Sequence, residues 1–230
     1  MPGLLVLAGG AEFQRGMEEA DKFLLEQAGG SEASIVILPT AGGADGGERM
    51  AARNGVAWFK SLGGNKVEAV MVVDRQSANH PALAAKIEKA KLIYMAGGNP
   101  RFLLECMQES LAWRAAYKAW QNGAILGGSS AGAMVLAEYL YDPASGNLVK
   151  ALGHVAASAL MPHHNSFGKH WLERLSLLLP KTTLLGIDEK TAMIGNGNQW
   201  QVYGKGSVTV YRAGDSFKFT SGQPFKIVEE

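Results

Sequence analysis

Residues 123–137 read GAILGGSSAGAMVLA: an apolar, strand-like run enters Gly128-Ser129-Ser130-Ala131-Gly132 and leaves into a helix-forming run over 133–139. Gly-x-Ser-x-Gly centred on Ser130 is the pattern of a nucleophile elbow, in which small neighbours let the chain turn sharply and project a hydroxyl. The helix N-terminus that follows offers backbone N–H groups, that of Ala131 first, and a positive dipole end to a developing oxyanion. Ser129 fits the pattern less well, because Ala131 rather than glycine stands two residues on. A plain glycine turn with serine as helix cap has the same composition. The strand-before, helix-after setting favours Ser130 as the nucleophile.

A serine nucleophile needs a base, and five histidines are present: His80, His154, His163, His164 and His170. His80 opens a polar helix, His154 has no acidic neighbour in sequence, and His170 lies in a helix expected over 167–179. His163 and His164 follow the apolar run 159–162 at an expected strand end, so one of them is the candidate base, with the choice open. A carboxylate is needed to orient the imidazole and stabilise its protonated form. Asp188 and Glu189 in GIDEKTAMI sit between apolar runs, where alternation should aim one inward and the other away. Asp142, just past the serine helix, is the third candidate. A second glycine turn, Ala96-Gly97-Gly98-Asn99-Pro100, could place an N–H beside the elbow to complete an oxyanion hole. Cys106 lies in the helical run RFLLECM, the setting of a buried unreactive thiol. No cofactor or metal is expected: the nucleotide fingerprints are missing, and the His-His pair lacks a carboxylate pattern beside it.

Strands expected at 4–8, 34–39, 67–73, 92–96 and 124–127 alternate with amphipathic segments at 17–27, 48–61, 81–91 and 110–121, the pattern of a parallel sheet covered by helices. Four of the five strands end in Gly- or Pro-bearing turns, and ligand crevices in such sheets lie beyond the strands' carboxyl ends. From residue 184 onward, short strands between Gly, Asn and Asp turns read as an antiparallel extension of the same sheet, with GNGNQ and GKGS as hairpin turns. The chain of 230 residues is expected to form one domain, 1–230, large enough for a three-layer core. Its 29 glycines stand well above the usual ~7% without any period, consistent with many tight turns. Balanced charge, 22 basic against 21 acidic residues, argues against a nucleic-acid or anionic-membrane partner. One cysteine, no basic leader and no long apolar stretch point to the cytoplasm. Apolar surface on the helix around 111–120 is a possible homodimer face, although such faces usually join the core.

With these segments in view, the chain resembles peptidase family S51, the cyanophycinases and dipeptidase E enzymes. LAGGAE, LPTAGG, AGGNPRFLL, GSSAGA, the PHH segment, GIDEKTAMI and GKGSVTVYRAG carry the resemblance. It implies an α/β three-layer sandwich with a mostly parallel sheet, like class I glutamine amidotransferases, with C-terminal antiparallel strands. It also implies Ser130 as nucleophile, His163 as base, Glu189 as triad acid, and Gly98 with Ala131 as oxyanion donors. Asn99 falls where substrate-contacting residues occur, and His164, which replaces the aromatic that follows the family's histidine, is the second expected substrate-binding residue. Dipeptidases take an Asp after the serine helix instead, for which Asp142 is the counterpart. The Arg-rich stretch of cyanophycinases reads NSFGKHWLERL here, with only Lys169 and Arg174 as cations, so cyanophycin itself is not the expected substrate. The resulting expectation is a serine-type hydrolase of small peptides or peptide-like amides. The alternative is a binding or regulatory member of the fold that does not turn over substrate.

Overall fold

The computed structural model describes residues 1–197 and 199–227, apart from the side chains of Ala156 and Ala157. Five strands, β1 (Leu5–Ala8), β2 (Ser34–Leu38), β3 (Lys66–Ala69), β4 (Leu92–Met95) and β5 (Ile125–Ser129), pair in parallel in the order β1-β5-β4-β2-β3. Burial on both faces explains why β1, β2, β4 and β5 read as continuous apolar runs. Leu5, Leu7, Val36, Leu38, Ile93 and Met95 join one buried cluster, while Val6, Ala8, Ile35, Ile37, Leu92 and Tyr94 join another on the opposite face. Each Val, Leu, Ile or Met side chain among them, withdrawn from water, contributes ~1.5–3 kcal/mol of gross hydrophobic stabilisation. The third strand ends earlier than the expected 73, at Ala69.

The helices between the strands carry local start signals. Ser110 caps Leu111–Gln121 by accepting the Trp113 N–H at 3.0 Å, and Asn99 caps Pro100–Met107 by accepting the Phe102 N–H at 2.9 Å, with proline in the first turn. On Leu111–Gln121, Ala112, Ala115, Ala116 and Ala119 are buried in the core. The helix expected over 133–139 is four residues long, Ala131–Met134. The chain then becomes strand β6 (Ala137–Asp142), because its pairing with β7 (Asn147–Lys150) and β8 (Val155–Met161) outweighs the helix propensity of its sequence. The segment over 167–179 divides into a 3₁₀ turn, Gly168–Trp171, and an α-helix, Leu172–Leu178.

The C-terminal third departs from a simple extension of the first sheet. Strands β10 (Thr191–Gly195), β11 (Gln199–Gly204) and β14 (Pro224–Lys226) do add antiparallel to β1. Strands β9 (Thr183–Ile187), β12 (Ser207–Arg212) and β13 (Asp215–Thr220) instead complete a second, mixed sheet in the order β13-β12-β9-β8-β6-β7. GKGS is therefore a crossing between sheets rather than a hairpin turn. GNGNQ does join the antiparallel pair β10 and β11, although its Asn198 lies outside the described residues. The turn between β9 and β10 crosses in the same way, so GIDEKTAMI spans both sheets and carries its two carboxylates at the crossing. Among the described residues, no helix is long and apolar enough to cross a membrane.

Candidate active site

The carboxyl end of β5 delivers Ser130 at φ 48° and ψ −110°, a conformation that costs a non-glycine residue of order 1–3 kcal/mol and persists only where its surroundings enforce it. Here Gly128 and Gly132 make the enforcement possible, since a Cβ at either would meet the Met95 carbonyl oxygen, at 2.1 and 2.2 Å. The Ser130 N–H donates to the Ala8 oxygen at 3.0 Å and anchors the elbow to the end of β1.

His163, beyond the end of β8 in the second sheet, is also held at positive φ, 51°. Its N–H donates to the Gly9 oxygen at 2.6 Å, and its carbonyl accepts from the Ser166 and Gly168 N–H groups. Phe167 stacks on its ring at 4.7 Å between centroids. A side chain at Gly10 (φ 122°) would run into that ring, its Cβ 2.2 Å from Cε1, so the turn after β1 needs glycine there. Nε2 of His163 stands 3.1 Å from Ser130 Oγ, and Nδ1 stands 2.8 Å from Glu189 Oε1. When Nδ1 donates to the carboxylate, Nε2 is left as the acceptor for the serine O–H. The backbone N–H of Glu189 donates to Asn165 Oδ1 at 3.0 Å, which fastens the acid-bearing turn to the segment after His163.

The other candidates lie elsewhere. Asp188 Oδ2 accepts from the Ser207 N–H and O–H at 2.9 and 2.7 Å, tying the sheet crossing to β12. The two adjacent carboxylates thus point to different partners. Asp142 accepts from Ala144 N–H and Ser145 O–H and caps the turn between β6 and β7. His164 does not occupy the substrate-facing place expected of it. Its ring is buried against Gly186, with Nε2 3.0 Å from the Tyr211 hydroxyl and Nδ1 3.6 Å from Asp188, and burial pulls its pKa down. Asn99 commits its side-chain oxygen to capping the Pro100–Met107 helix. His154 sits among the rings of Trp113, Tyr117 and Trp120, while His80 and His170 are exposed. Cys106 is buried, its thiol pushed up to about 11 chiefly by desolvation.

The Gly97-Gly98 turn lies next to the elbow: a Cβ at Gly97 would be 3.4 Å from Ser130 Cβ. Gly98 has φ 141°, and a Cβ there would be 2.5 Å from the Ala41 oxygen, so this close approach also demands glycine. Among the described residues, the N–H groups of Gly98 and Ala131 meet no backbone acceptor. A hollow of about 300 Å³ opens beside the turn, bordered by Phe13, Asp45, Met50 and Asn54. A larger one of about 450 Å³ lies between the Leu172–Leu178 helix and the turn joining β12 to β13, and Ser130, His163 and Glu189 do not line it. Among the described residues, no group of three or more His, Cys, Asp or Glu is placed to hold a metal ion.

Sequence reasoning passed over Glu12. Its Oε1 accepts the Gly97 N–H at 2.8 Å and its Oε2 accepts the Ser129 O–H at 2.9 Å. The available signal was its position just after the first strand-end glycine turn, but a single acid in a turn has the usual signature of a solvated cap. Asn165 and Phe167 were also passed over, since neither type is distinctive for chemistry.

Comparison with known proteins agrees with this architecture. The model of peptidase family S51 matches residues 4–203. A cyanophycinase of Synechococcus elongatus is 30% identical over 229 residues, covering 90% of this chain and 67% of that protein. One of Trichormus variabilis is 26% identical over 221 residues, covering 90% and 72%. The crystal structure of a peptidase from an acI-B1 Actinobacterium superposes with a TM-score of 0.88 at 28% identity, over 98% of this chain and 97% of that one. A putative peptidase E protein from Listeria monocytogenes EGD-e shares the fold alone, with a TM-score of 0.64 at 20% identity over 89% and 98% of the two chains. A family match over most of the length, together with a solved peptidase that follows nearly the whole backbone, makes this chain a member of peptidase family S51.

Proposed function

We propose that the chain is a serine-type hydrolase of small peptides or peptide-like amides, acting through Ser130, His163 and Glu189. The observation that carries this reading is the continuous hydrogen-bonded series from Ser130 Oγ through both ring nitrogens of His163 to the Glu189 carboxylate, with the serine held in a strained elbow. Ser130 attacks the amide carbonyl while His163 Nε2 takes its proton. Glu189 fixes the tautomer and stabilises the imidazolium, and His163 returns the proton to the leaving amine. The developing oxyanion meets the Gly98 and Ala131 N–H groups, and water then releases the acyl group by the same steps. A parallel sheet with its nucleophile at a strand-to-helix turn also supports the layout of class I glutamine amidotransferases, with serine in place of cysteine. The relatives named cyanophycinase point to peptide chemistry, while the NSFGKHWLERL segment, with few cations, favours small peptides over cyanophycin.

A fluorophosphonate probe followed by peptide mapping tests the nucleophile: Ser130 carries the label and Ser130→Ala takes none. Labelling at another residue, or undiminished labelling of the variant, overturns the assignment. A peptide-library digest read by mass spectrometry then gives the bond type and side-chain preference.

A further inference from the structure

We infer that Glu12 is a positioning residue for the oxyanion donors, clasping the two chain segments that carry them. This rests on the serine-hydrolase reading and adds a residue which that mechanism does not require. The two donors come from different segments, Gly98 from the turn after β4 and Ala131 from the turn after β5. Parallel pairing aligns those strands as far as Met95 with Gly128. Beyond that register, among the described residues, the polar link between the two turns is the Glu12 carboxylate, one oxygen on the Gly97 N–H and the other on the Ser129 hydroxyl. Two consecutive glycines give the first turn wide conformational freedom, so its placement against the elbow has to be imposed from outside. Ala41 imposes one side, accepting the Asn99 N–H at 2.9 Å. Glu12 imposes the side that faces Ser130.

The backbone that delivers this carboxylate supports the inference independently. Ala11 and Phe13, on either side of Glu12, both have positive φ, 60° and 57°, after Gly10 at 122°. Strained non-glycine residues persist where the surrounding contacts over-determine them, and they cluster at functional sites. Phe13 secures the loop by packing on Tyr94 and Phe59, with ring centroids at 5.3 and 6.3 Å. The Gly9 oxygen in the same loop holds the His163 N–H, so one loop touches both the base and the oxyanion turn.

The test compares Glu12→Ala with Glu12→Gln. Glutamine keeps both links, since its amide oxygen can accept the Gly97 N–H while its NH₂ donates to Ser129 Oγ. Alanine keeps neither. The rate of Ser130 labelling by a fluorophosphonate is measured from pH 5 to 9 on folded protein. Removing an oxyanion donor outright costs ~10²–10³, and misaiming one should cost less, ~10–100-fold in Glu12→Ala. Glu12→Gln should stay within about threefold of the parent at the plateau of the pH profile, because it keeps both links. If Glu12→Ala does not fold, Glu12→Asp replaces it, its shorter arm releasing at least one link and slowing labelling by about tenfold. An unchanged rate in the folded Ala or Asp variant overturns the inference. So does Glu12→Gln as slow as Glu12→Ala, which would assign the effect to charge. Absence of Ser130 labelling in the unmodified protein removes the serine reading itself, and this inference with it.

Discussion

Replacing Glu189 with Gln preserves size and one acceptor oxygen but removes the charge facing His163. With Oε1 2.8 Å from Nδ1, the charge centres of carboxylate and imidazolium lie ~4 Å apart. The Glu189 side chain is 37% exposed, so solvent screens the pair, and an effective dielectric of ~20–40 leaves ~2–4 kcal/mol of stabilisation for the imidazolium formed in the transition state. A second loss adds to it. If the amide turns its NH₂ toward Nδ1, the ring holds its proton on Nε2 and cannot accept one from Ser130. Each ~1.4 kcal/mol is a tenfold change in rate, so Glu189→Gln should lower kcat by ~10³ with little change in KM. That is less than the ~10⁴ seen on neutralising the acid of a buried serine triad. Asp188→Asn and Asp142→Asn should stay within about tenfold, because their partners are Ser207 and the turn between β6 and β7. The assay uses purified folded variants on one substrate from the library digest, at pH 5–9, so that a shifted histidine midpoint is not mistaken for lost catalysis. Glu189→Gln within threefold of the parent would refute the reasoning, and a dead Asp142→Asn beside it would transfer the role to Asp142.

Cys106→Ser should leave turnover unchanged within about twofold, since the thiol is buried on a helix and pushed up to about 11. Loss of kcat in a variant with an unchanged Tm would contradict this. Asp21, fully buried, has its carboxyl pushed up to about 7, mainly by desolvation, partly offset by the Trp58 indole N–H at 2.7 Å and reinforced by Glu12 and Glu18. Its folded pKa lies above the unfolded value, so its proton favours the native state below pH ~4, and that contribution is lost as pH rises through 7, up to ~4 kcal/mol. Asp21→Asn, which keeps an acceptor for Trp58, should therefore raise Tm more at pH 8 than at pH 5. Equal shifts at both pH values in thermal melts would disprove the buried-proton account.

Much of the first half of the fold was legible because its signals are local. The runs at β1, β2, β4 and β5 are buried on both faces, and both faces demand apolar residues, so each strand appears without gaps. Residues 48–61 match the observed helix Glu48–Ser61 from end to end. The C-terminal strands were legible as strands but not as members of particular sheets. The apolar runs in GIDEKTAMI and SVTVYR record burial and say nothing about which partner covers them. The helix after Ser130 stops short for a related reason: Val135 to Tyr139 fits a helix by composition, and pairing of β6 with its neighbours decides otherwise.

The sequence by itself determined the elbow, because glycines on both sides of Ser130 record a backbone crowded by the Met95 oxygen and closed to any Cβ. It also confined the polar partners to short segments, PHH and GIDE, at strand ends. Tertiary structure shows which histidine meets the serine and which carboxylate meets that histidine. His163 faces Ser130 because a positive φ turns it out of the strand path, and His164, one residue on, is buried between Gly186 and Tyr211. Glu189 and Asp188 separate because the turn that bears them crosses from one sheet to the other, so adjacent side chains meet different sheets' neighbours. Glu12 became visible only when β1, β4 and β5 were assembled side by side. Periodicity within an element follows from the geometry of residues two to four apart, whereas these contacts join residues 19 to 117 positions apart. Their formation depends on how whole sheets pack, which local spacing does not encode.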